Sequence, residues 1–203
     1  MDQKSDGLQV EREINVCIAA KDWKKVIDFG QEAPFEERVK FLWVWPLQED
    51  LERIRICFER LAISRVLSIG CGTGLLEWLI SRATGIHIAG VEKDENWWRS
   101  KHATTTYIPM QFAEALNDAH QGQQQRWHAL MFCYFNDGCA FREYVQNFNG
   151  CYVIVIGPRD GKGIHTDPMP FHVNFPAEQR WDWVCQFRIG NENRNHVVIY
   201  QRQ

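Results

Sequence analysis

The sequence predicts an α/β fold in which helices flank a mostly parallel sheet that ends in an antiparallel hairpin. Residues 66–69 form a short apolar run that leads directly into three glycines at alternate positions and then into a helical pattern. Apolar runs and helical patterns then alternate, as in successive βαβ units. Near the end of the chain, residues 183–189 and 196–201 alternate in polarity and are joined by a Gly-Asn-Glu-Asn turn, which is typical of a hairpin.

Helical patterns precede the first predicted strand. Residues 8–30 space their apolar side chains for one or two helices, and 47–61 form an amphipathic helix. We expect a single domain over residues 1–203. In that domain, 1–62 form a helical segment that packs on or over the site, and 63–203 form a Rossmann-like core.

The core segment predicts five strands that alternate with helices. Prolines within residues 157–180 argue against a long helix after the fifth strand, so we expect a loop there. The predicted strands are 66–69, 86–91, 105–109, 129–135 and 151–156, and the predicted helices lie near 75–83, 97–98, 111–118 and 139–148.

The net charge and the hydropathy of the sequence argue against nucleic-acid-binding and membrane proteins. The formal net charge is -3 and no basic cluster stands out, so binding to nucleic acid is not indicated, although a basic surface formed only in the fold is compatible with the sequence. No apolar run approaches the roughly 18 residues of a membrane span, and the first thirty residues lack the apolar centre of a signal peptide. We therefore predict a cytoplasmic protein, with the nucleus as a second location, and no membrane partner.

The cysteines and histidines predict neither disulfides nor metal. The seven cysteines form no Cys-x-x-Cys pair, and several lie in apolar strand patterns, so we expect buried free thiols in a reducing compartment. The seven histidines also lack metal-ligand spacing.

The glycine run after the first strand predicts a ligand site. Gly70, Gly72 and Gly74 leave backbone N–H groups open to a ligand, where side chains would block its approach. A dinucleotide fingerprint requires a third small residue at position 75, which is Leu75, so an NAD-dependent oxidoreductase is disfavoured. A phosphate loop would require a Lys that is absent here.

The second strand ends in an acid. Glu92 follows Gly70 by 22 residues, where a carboxylate can accept hydrogen bonds from both hydroxyls of a ribose. The alternative is that the glycines only tighten a strand–helix turn and that Glu92 is a solvated surface acid.

The run Arg-Val-Leu-Ser-Ile-Gly-Cys-Gly-Thr-Gly at 65–74 resembles motif I of the class I S-adenosylmethionine-dependent methyltransferases. Residues 40–160 also resemble a functionally uncharacterised branch of that superfamily, through Trp45-Pro46 and the strand runs 129–133 and 150–157. The resemblance implies a Rossmann-like class I methyltransferase fold and S-adenosyl-L-methionine as cofactor. One departure is Ser68, where methyltransferases often carry an acid that orients the methionine ammonium group.

The candidate cofactor-binding residues come from the glycine loop, the end of the second strand and the end of the fourth. Of Trp97 and Trp98, one is expected to flank the adenine and the other to lie in the core. The pair Trp43 and Trp45 is expected either to cover the donor site or to pack in the core. The candidate set is Ser68, Gly70, Cys71, Gly72, Thr73, Gly74, Glu92, Lys93, Trp97 and Phe135.

The candidate catalytic residues follow the fourth and fifth strands. Asn136 is placed to hold an acceptor, although a polar residue there is as often a loop starter. Asp137 before Gly138 is expected to serve the turn. His165 and Asp167 are candidate bases, although a loop histidine is more often only solvated.

The sequence thus predicts a methyltransferase that acts on an unidentified small-molecule or protein acceptor. The alternative is a catalytically silent member of the same fold that serves as a ligand sensor or protein-interaction partner. Ser68 and the missing prolines after the fourth strand, where many nitrogen methyltransferases carry Asp/Asn-Pro-Pro, favour that alternative.

Overall fold

A computed structural model describes residues 3–112, 127–159, 165–191 and 194–203, with side chains described from residue 9 onward. The helices are α1 (Gln3–Ala19), α2 (Trp23–Glu32), α3 (Phe35–Arg38), α4 (Gln48–Arg60), α5 (Leu75–Thr84), α6 (Glu95–Trp98) and α7 (Gly138–Gln146). The strands are β1 (Arg65–Ile69), β2 (His87–Glu92), β3 (Met110–Phe112), β4 (Ala129–Cys133), β5 (Tyr152–Pro158), β6 (Trp181–Arg188) and β7 (Asn195–Arg202).

The strands form one sheet in the order β3-β2-β1-β4-β5-β7-β6. The first five pair in parallel, and β7 runs antiparallel to both β5 and β6. The predicted mostly parallel sheet with a C-terminal antiparallel hairpin is therefore confirmed. The strand order reverses between β1 and β4, and that is where an open α/β sheet leaves a crevice at its carboxyl edge.

Side chains alternate between two faces of the sheet, as a pleated strand requires. In β1, Val66 packs with α1, α2, α4 and α5, whereas Leu67 and Ile69 pack on the opposite face with α7. By the same alternation, the fully buried Ser68 lies on the α5 side. The alternation of side chains along β1 thus places the hydroxyl of Ser68 beneath α5.

Three predicted boundaries need correction. The strand expected at 105–109 lies at Met110–Phe112 and pairs Gly90 with Met110, because Pro109 has no N–H for the ladder. The helix predicted near 111–118 therefore cannot begin at 111, and its remainder lies outside the described residues. The strand predicted at 129–135 ends at Cys133, because Tyr134 turns the chain with a φ of 51°.

The loop prediction after β5 agrees with the described part of that region. Residues 165–180 contain no helix, and residues 160–164 lie outside the described residues. The N-terminal prediction of one or two helices resolves as two, α1 and α2, separated by a turn at Lys21 with a φ of 57°.

The prediction of free thiols is wrong for one pair. Cys57 on α4 and Cys185 on β6 are joined as a disulfide, because the end strand of the sheet packs beside α4 and brings together two residues 128 positions apart. That proximity cannot be inferred from cysteine spacing. The other five cysteines are free.

The described residues contain neither a membrane-spanning helix nor a metal-binding cluster. No helix there has both the length and the apolar character to cross a membrane. No group of three or more His, Cys, Asp or Glu side chains in the same ranges is arranged to hold a metal ion.

A buried acid joins the N-terminal helices to the end of the sheet. Asp50, which is 2% exposed, accepts hydrogen bonds from the backbone N–H of Leu47 at 2.9 Å and of Gly190 at 2.8 Å. The first bond caps α4, and the second holds the turn between β6 and β7. One carboxylate therefore fixes the position of α4 relative to the hairpin.

Asp50→Ala should lower the free energy of unfolding by about 2–4 kcal/mol, because it leaves two N–H donors without their acceptor. Glu49→Ala is the matched control, since its exposed carboxylate only pairs with Arg53 at 3.5 Å and should matter by less than about 0.5 kcal/mol. Urea denaturation of both variants measures the difference. Equal stabilities would contradict the role given to Asp50.

Candidate functional site

A cleft of about 250 Å³ opens at the carboxyl edge of β1 and β4. The glycine loop forms one wall, the start of α5 another, and the segment that connects α3 to α4 covers it. The residues that line the cleft are Val39, Lys40, Phe41, Leu42, Trp43, Gly70, Cys71, Gly72, Thr73, Leu75, Leu76, Glu77, Trp98, Thr104, Cys133 and Tyr134.

The glycine loop turns the chain from β1 into α5 through left-handed backbone conformations. Gly70, Gly72 and Gly74 have φ values of 66°, 58° and 75°. A Cβ at Gly72 would have no atom within 4 Å, whereas one at Gly74 would collide with Ile108. Gly72 thus leaves open space beside the cleft, while Gly74 makes room for the protein's own chain and does not line the cleft.

Thr73 attaches the covering segment to the loop. Its hydroxyl donates to the carbonyl of Phe41 at 2.9 Å, and its carbonyl accepts from the N–H of Tyr107 at 2.8 Å. The segment 39–43 is therefore held over the glycine loop by a hydrogen bond rather than by packing alone. That residues 1–62 as a whole pack on or over the site stays a prediction, which this contact supports.

The acidic residue Glu77 lies in the wall of the cleft. It is 1% exposed, and the hydroxyl of Ser68 donates to its Oε1 at 2.6 Å. Burial raises the pKa of Glu77 to about 7, and the nearby negative charge of Glu92 adds to the increase, while the bond from Ser68 opposes it. The cleft thus contains a carboxyl group that changes charge near neutral pH.

Glu92 ends β2 beside the glycine loop, as the sequence predicts. Its Oε1 accepts from the backbone N–H of Gly72 at 2.5 Å. Burial raises the pKa of Glu92, while hydrogen bonds from Gly72 N–H and from the Trp98 side chain oppose the increase. The carboxylate is therefore held against the loop by hydrogen bonds. The alternative interpretation would require a solvated Glu92, which the structure does not show.

The aromatic residues divide differently from the prediction. Trp98 lines the cleft, whereas Trp97 is 50% exposed on α6 and does not. Neither of the two lies in the core. Trp98 is thus better placed than Trp97 to flank a ligand, because it lines the cleft and donates to Glu92.

Trp43 and Trp45 also lie in different parts of the structure. Trp43 lines the cleft, is 55% exposed and stacks on Tyr134 with ring centroids 5.7 Å apart. Trp45 is buried, and its Nε1–H donates to the carbonyl of Ile27 at 3.2 Å. One tryptophan therefore belongs to the cleft and the other to the core.

Three further candidates lie around the glycine loop. Cys71 lines the cleft, and burial raises the pKa of its thiol. Phe135 packs with Phe132 on the other face of the sheet, and a Cβ at Gly70 would lie 3.0 Å from its ring. Lys93 is exposed after the end of β2.

The candidate catalytic residues lie away from the cleft wall. Asn136 and His165 are exposed. Asp167 packs against Gly138 at the start of α7, and its N–H donates to the carbonyl of Phe135 at 2.9 Å. Asp137, which the sequence predicts to serve a turn, instead caps α7 by accepting from Ala140 N–H at 2.9 Å.

The sequence interpretation missed several cleft residues and, of the covering segment, considered only Trp43. The missed residues are 39–42, Leu75, Leu76, Glu77, Thr104, Cys133 and Tyr134. Glu77 had a signal, because it is the one charged residue in the run Leu-Leu-Glu-Trp-Leu-Ile at 75–80. Residues 39–42 carry no pattern that points to a site, since a contact between distant parts of the chain brings them there.

Comparison with known proteins supports the fold alone. No protein-family model matches the sequence, and no curated protein matches it. Among solved structures, a cyclopropane-fatty-acyl-phospholipid synthase-like protein from Lactobacillus casei aligns at 11% identity over 89% of this chain and 100% of that one, with a TM-score of 0.51. A SAM dependent methyltransferase from Archaeoglobus fulgidus aligns at 14% identity over 74% and 94% of the two chains, with a TM-score of 0.42.

The first of these alignments covers 89% of this chain, whose sheet is parallel except for the C-terminal antiparallel strands. The fold is the Rossmann-like class I methyltransferase fold. At these identities the likeness carries no information about the substrate.

The raised pKa of Glu77 predicts a pH-dependent stability. Between the ordinary pKa of 4.5 and about 7, the folded state holds a proton that the unfolded chain has lost, so the free energy of unfolding falls as the pH rises. Glu77→Gln lacks this proton, so its stability relative to the original protein should increase by about 2 kcal/mol between pH 5 and pH 8.

Urea denaturation at several pH values measures this difference. The groups that interact electrostatically with Glu77, which are Glu92, Cys71 and Cys133, and Lys40 in the same cleft are present in both proteins. Glu49→Gln, a change at an exposed acid on α4, should follow the profile of the original protein. Parallel profiles for Glu77→Gln and the original protein would contradict the assigned pKa.

Proposed function

We propose that the protein is a methyltransferase that binds S-adenosyl-L-methionine in the cleft and transfers its methyl group to a small-molecule or protein acceptor. The observation that carries the proposal is the cleft at the carboxyl edge of β1, with Gly72 and the open space beside it on its wall and Glu92 bound to the Gly72 N–H. This is the position at which an open α/β sheet binds nucleoside ligands.

The residues present fit this cofactor. Glu92 offers a carboxylate for ribose hydroxyls at the tip of β2, and Trp98 offers an aromatic surface beside it. Open space at Gly72 allows a ligand to approach the backbone. Glu77 adds a buried acid for a cationic group.

Bound S-adenosylmethionine supplies a methyl group on a sulfonium sulfur, so transfer forms a bond from that carbon to the acceptor while the carbon–sulfur electron pair returns to sulfur. The contribution of the chain is then position and exclusion of water. The Thr73–Phe41 hydrogen bond holds the segment 39–43 over the loop and so limits access of solvent.

The acceptor must lose a proton when a neutral nucleophile is methylated. Asn136, His165 and Asp167 stay predictions for acceptor binding and for this base. None of them lines the cleft, and Asp167 lies beside the end of β4, where its N–H donates to the carbonyl of Phe135. The exposed ring of Trp43, stacked on Tyr134, supports an acceptor entrance at that side of the cleft.

Two glycines provide a matched test of the donor site. Gly72 and Gly85 both have positive φ and open space around a Cβ, but only Gly72 lines the cleft, whereas Gly85 ends α5 on the surface. Each change to Ala should cost about 1–2 kcal/mol of stability, because an L side chain disfavours that conformation.

Only Gly72→Ala should weaken binding of S-adenosylhomocysteine, by about tenfold or more, since its methyl group takes space beside the ligand. Isothermal titration calorimetry measures the affinity, and urea denaturation checks that both variants fold. Equal affinities in the two variants would argue against a ligand at the glycine loop.

Labelling separates an active enzyme from a silent member of the fold. The protein with S-adenosylmethionine labelled in its methyl group should transfer label to a component of fractionated cell extract, and Gly72→Ala should transfer much less. Tight donor binding without label in any fraction would favour a ligand sensor or interaction partner instead.

A further inference from the structure

The resemblance leads us to expect an acid at position 68, and the cleft has none there. It has an acid on α5 instead, which the resemblance does not imply. Position 68 is Ser68, and the alternation of β1 directs it to the α5 side. From α5, Glu77 reaches the same place, so that the Ser68 hydroxyl donates to its Oε1 at 2.6 Å. The carboxylate is thus supplied by the helix instead of the strand.

Glu77 has no positive partner in the described parts of the chain. The basic residue that lines the cleft there is Lys40, and its Nζ lies 2.8 Å and 2.7 Å from the two carboxylate oxygens of Glu37. The charge that acts on Glu77 is that of Glu92, which is also negative. A buried carboxylate without a cation is costly to ionise, and the protein itself offers nothing that offsets this cost.

The surroundings of Glu77 favour an apolar residue if stability alone is considered. Its neighbours Leu76, Trp78, Leu79 and Ile80 are all buried in the core cluster on that face. Glu77 nevertheless lines the cleft and is almost fully buried. A cationic group that enters the cleft would neutralise it and would gain a charge-assisted hydrogen bond.

We propose that Glu77, oriented by Ser68, binds the α-ammonium group of the methionine part of S-adenosylmethionine and so replaces an acid at position 68. This inference rests on the proposed function. Glu77 is a binding and positioning residue in this assignment, and Glu92, on the other side of the glycine loop, holds the ribose. Each of the two carboxylates thus binds one polar end of the same ligand.

Three ligands isolate the ammonium contact. S-adenosylhomocysteine has the ammonium group but no sulfonium charge, S-adenosylmethionine has both, and methylthioadenosine has neither but keeps the ribose. Glu77→Gln preserves the shape and an acceptor for Ser68, so it is the variant least disturbing to the fold. It should weaken both amino-acid ligands by about 10- to 100-fold and leave methylthioadenosine unchanged.

Two further variants act as controls. Glu92→Gln should weaken all three ligands, because all three contain the ribose. Ser68→Ala should weaken the two amino-acid ligands by about three- to tenfold, because Glu77 keeps its charge but loses the hydroxyl that orients it. This small substitution also tests the proposal if Glu77→Gln does not fold. Isothermal titration calorimetry supplies the affinities, and urea denaturation reports folding.

The outcomes distinguish the inference from the function on which it rests. An original protein that binds none of the three ligands would refute the proposed function itself. Normal binding of both amino-acid ligands by Glu77→Gln would overturn the ammonium assignment alone. Loss of S-adenosylmethionine binding with S-adenosylhomocysteine retained would place Glu77 at the sulfonium instead, and an equal loss of all three ligands would make its role structural. Either result would also overturn the inference.

Discussion

The turn from β1 into α5 is the constraint on which the rest of the site depends. It reverses the chain within residues 70–74, and it does so with three left-handed glycines. Close packing surrounds the turn, since a Cβ at Gly74 would meet Ile108 and one at Gly70 would lie 3.0 Å from Phe135. Only Gly72 faces open space. The same bare backbone therefore lets the sheet pack tightly and leaves one place for a ligand.

The polar groups of the cleft are positioned by regular structure rather than by a long loop. Parallel strands end at one edge, so the carboxyl ends of β1, β2 and β4 converge there. Pleating sends Ser68 toward α5, and the first turn of α5 brings Glu77 back over it. Groups held on strands and helices lose little freedom when a ligand binds, which favours affinity.

Local patterns in the sequence predicted the parts of the fold that local forces determine. The apolar run before Gly70, the acid at Glu92 and the turn before β7 each depend on neighbours along the chain, and the topology follows from their order. What could not be predicted depends on distant contacts. Thr73 binds Phe41 from 32 residues away, and Trp98 rather than Trp97 lines the cleft because of how α6 packs. Because Pro109 has no N–H for strand pairing, β3 begins after it. This cause is local, but the strand prediction did not take it into account.

Glu77 shows why a buried site residue conflicts with stability. Leu at this position would bury more apolar surface in the same cluster and would need no partner, so packing alone gives no reason for a carboxylate. Ser68 satisfies one of its oxygens but brings no charge. Burial therefore raises the pKa of Glu77 despite the hydrogen bond from Ser68. A site kept ready for a cation in this way destabilises the free protein and favours the bound one, since any cation that pairs with Glu77 removes a cost already present in the fold.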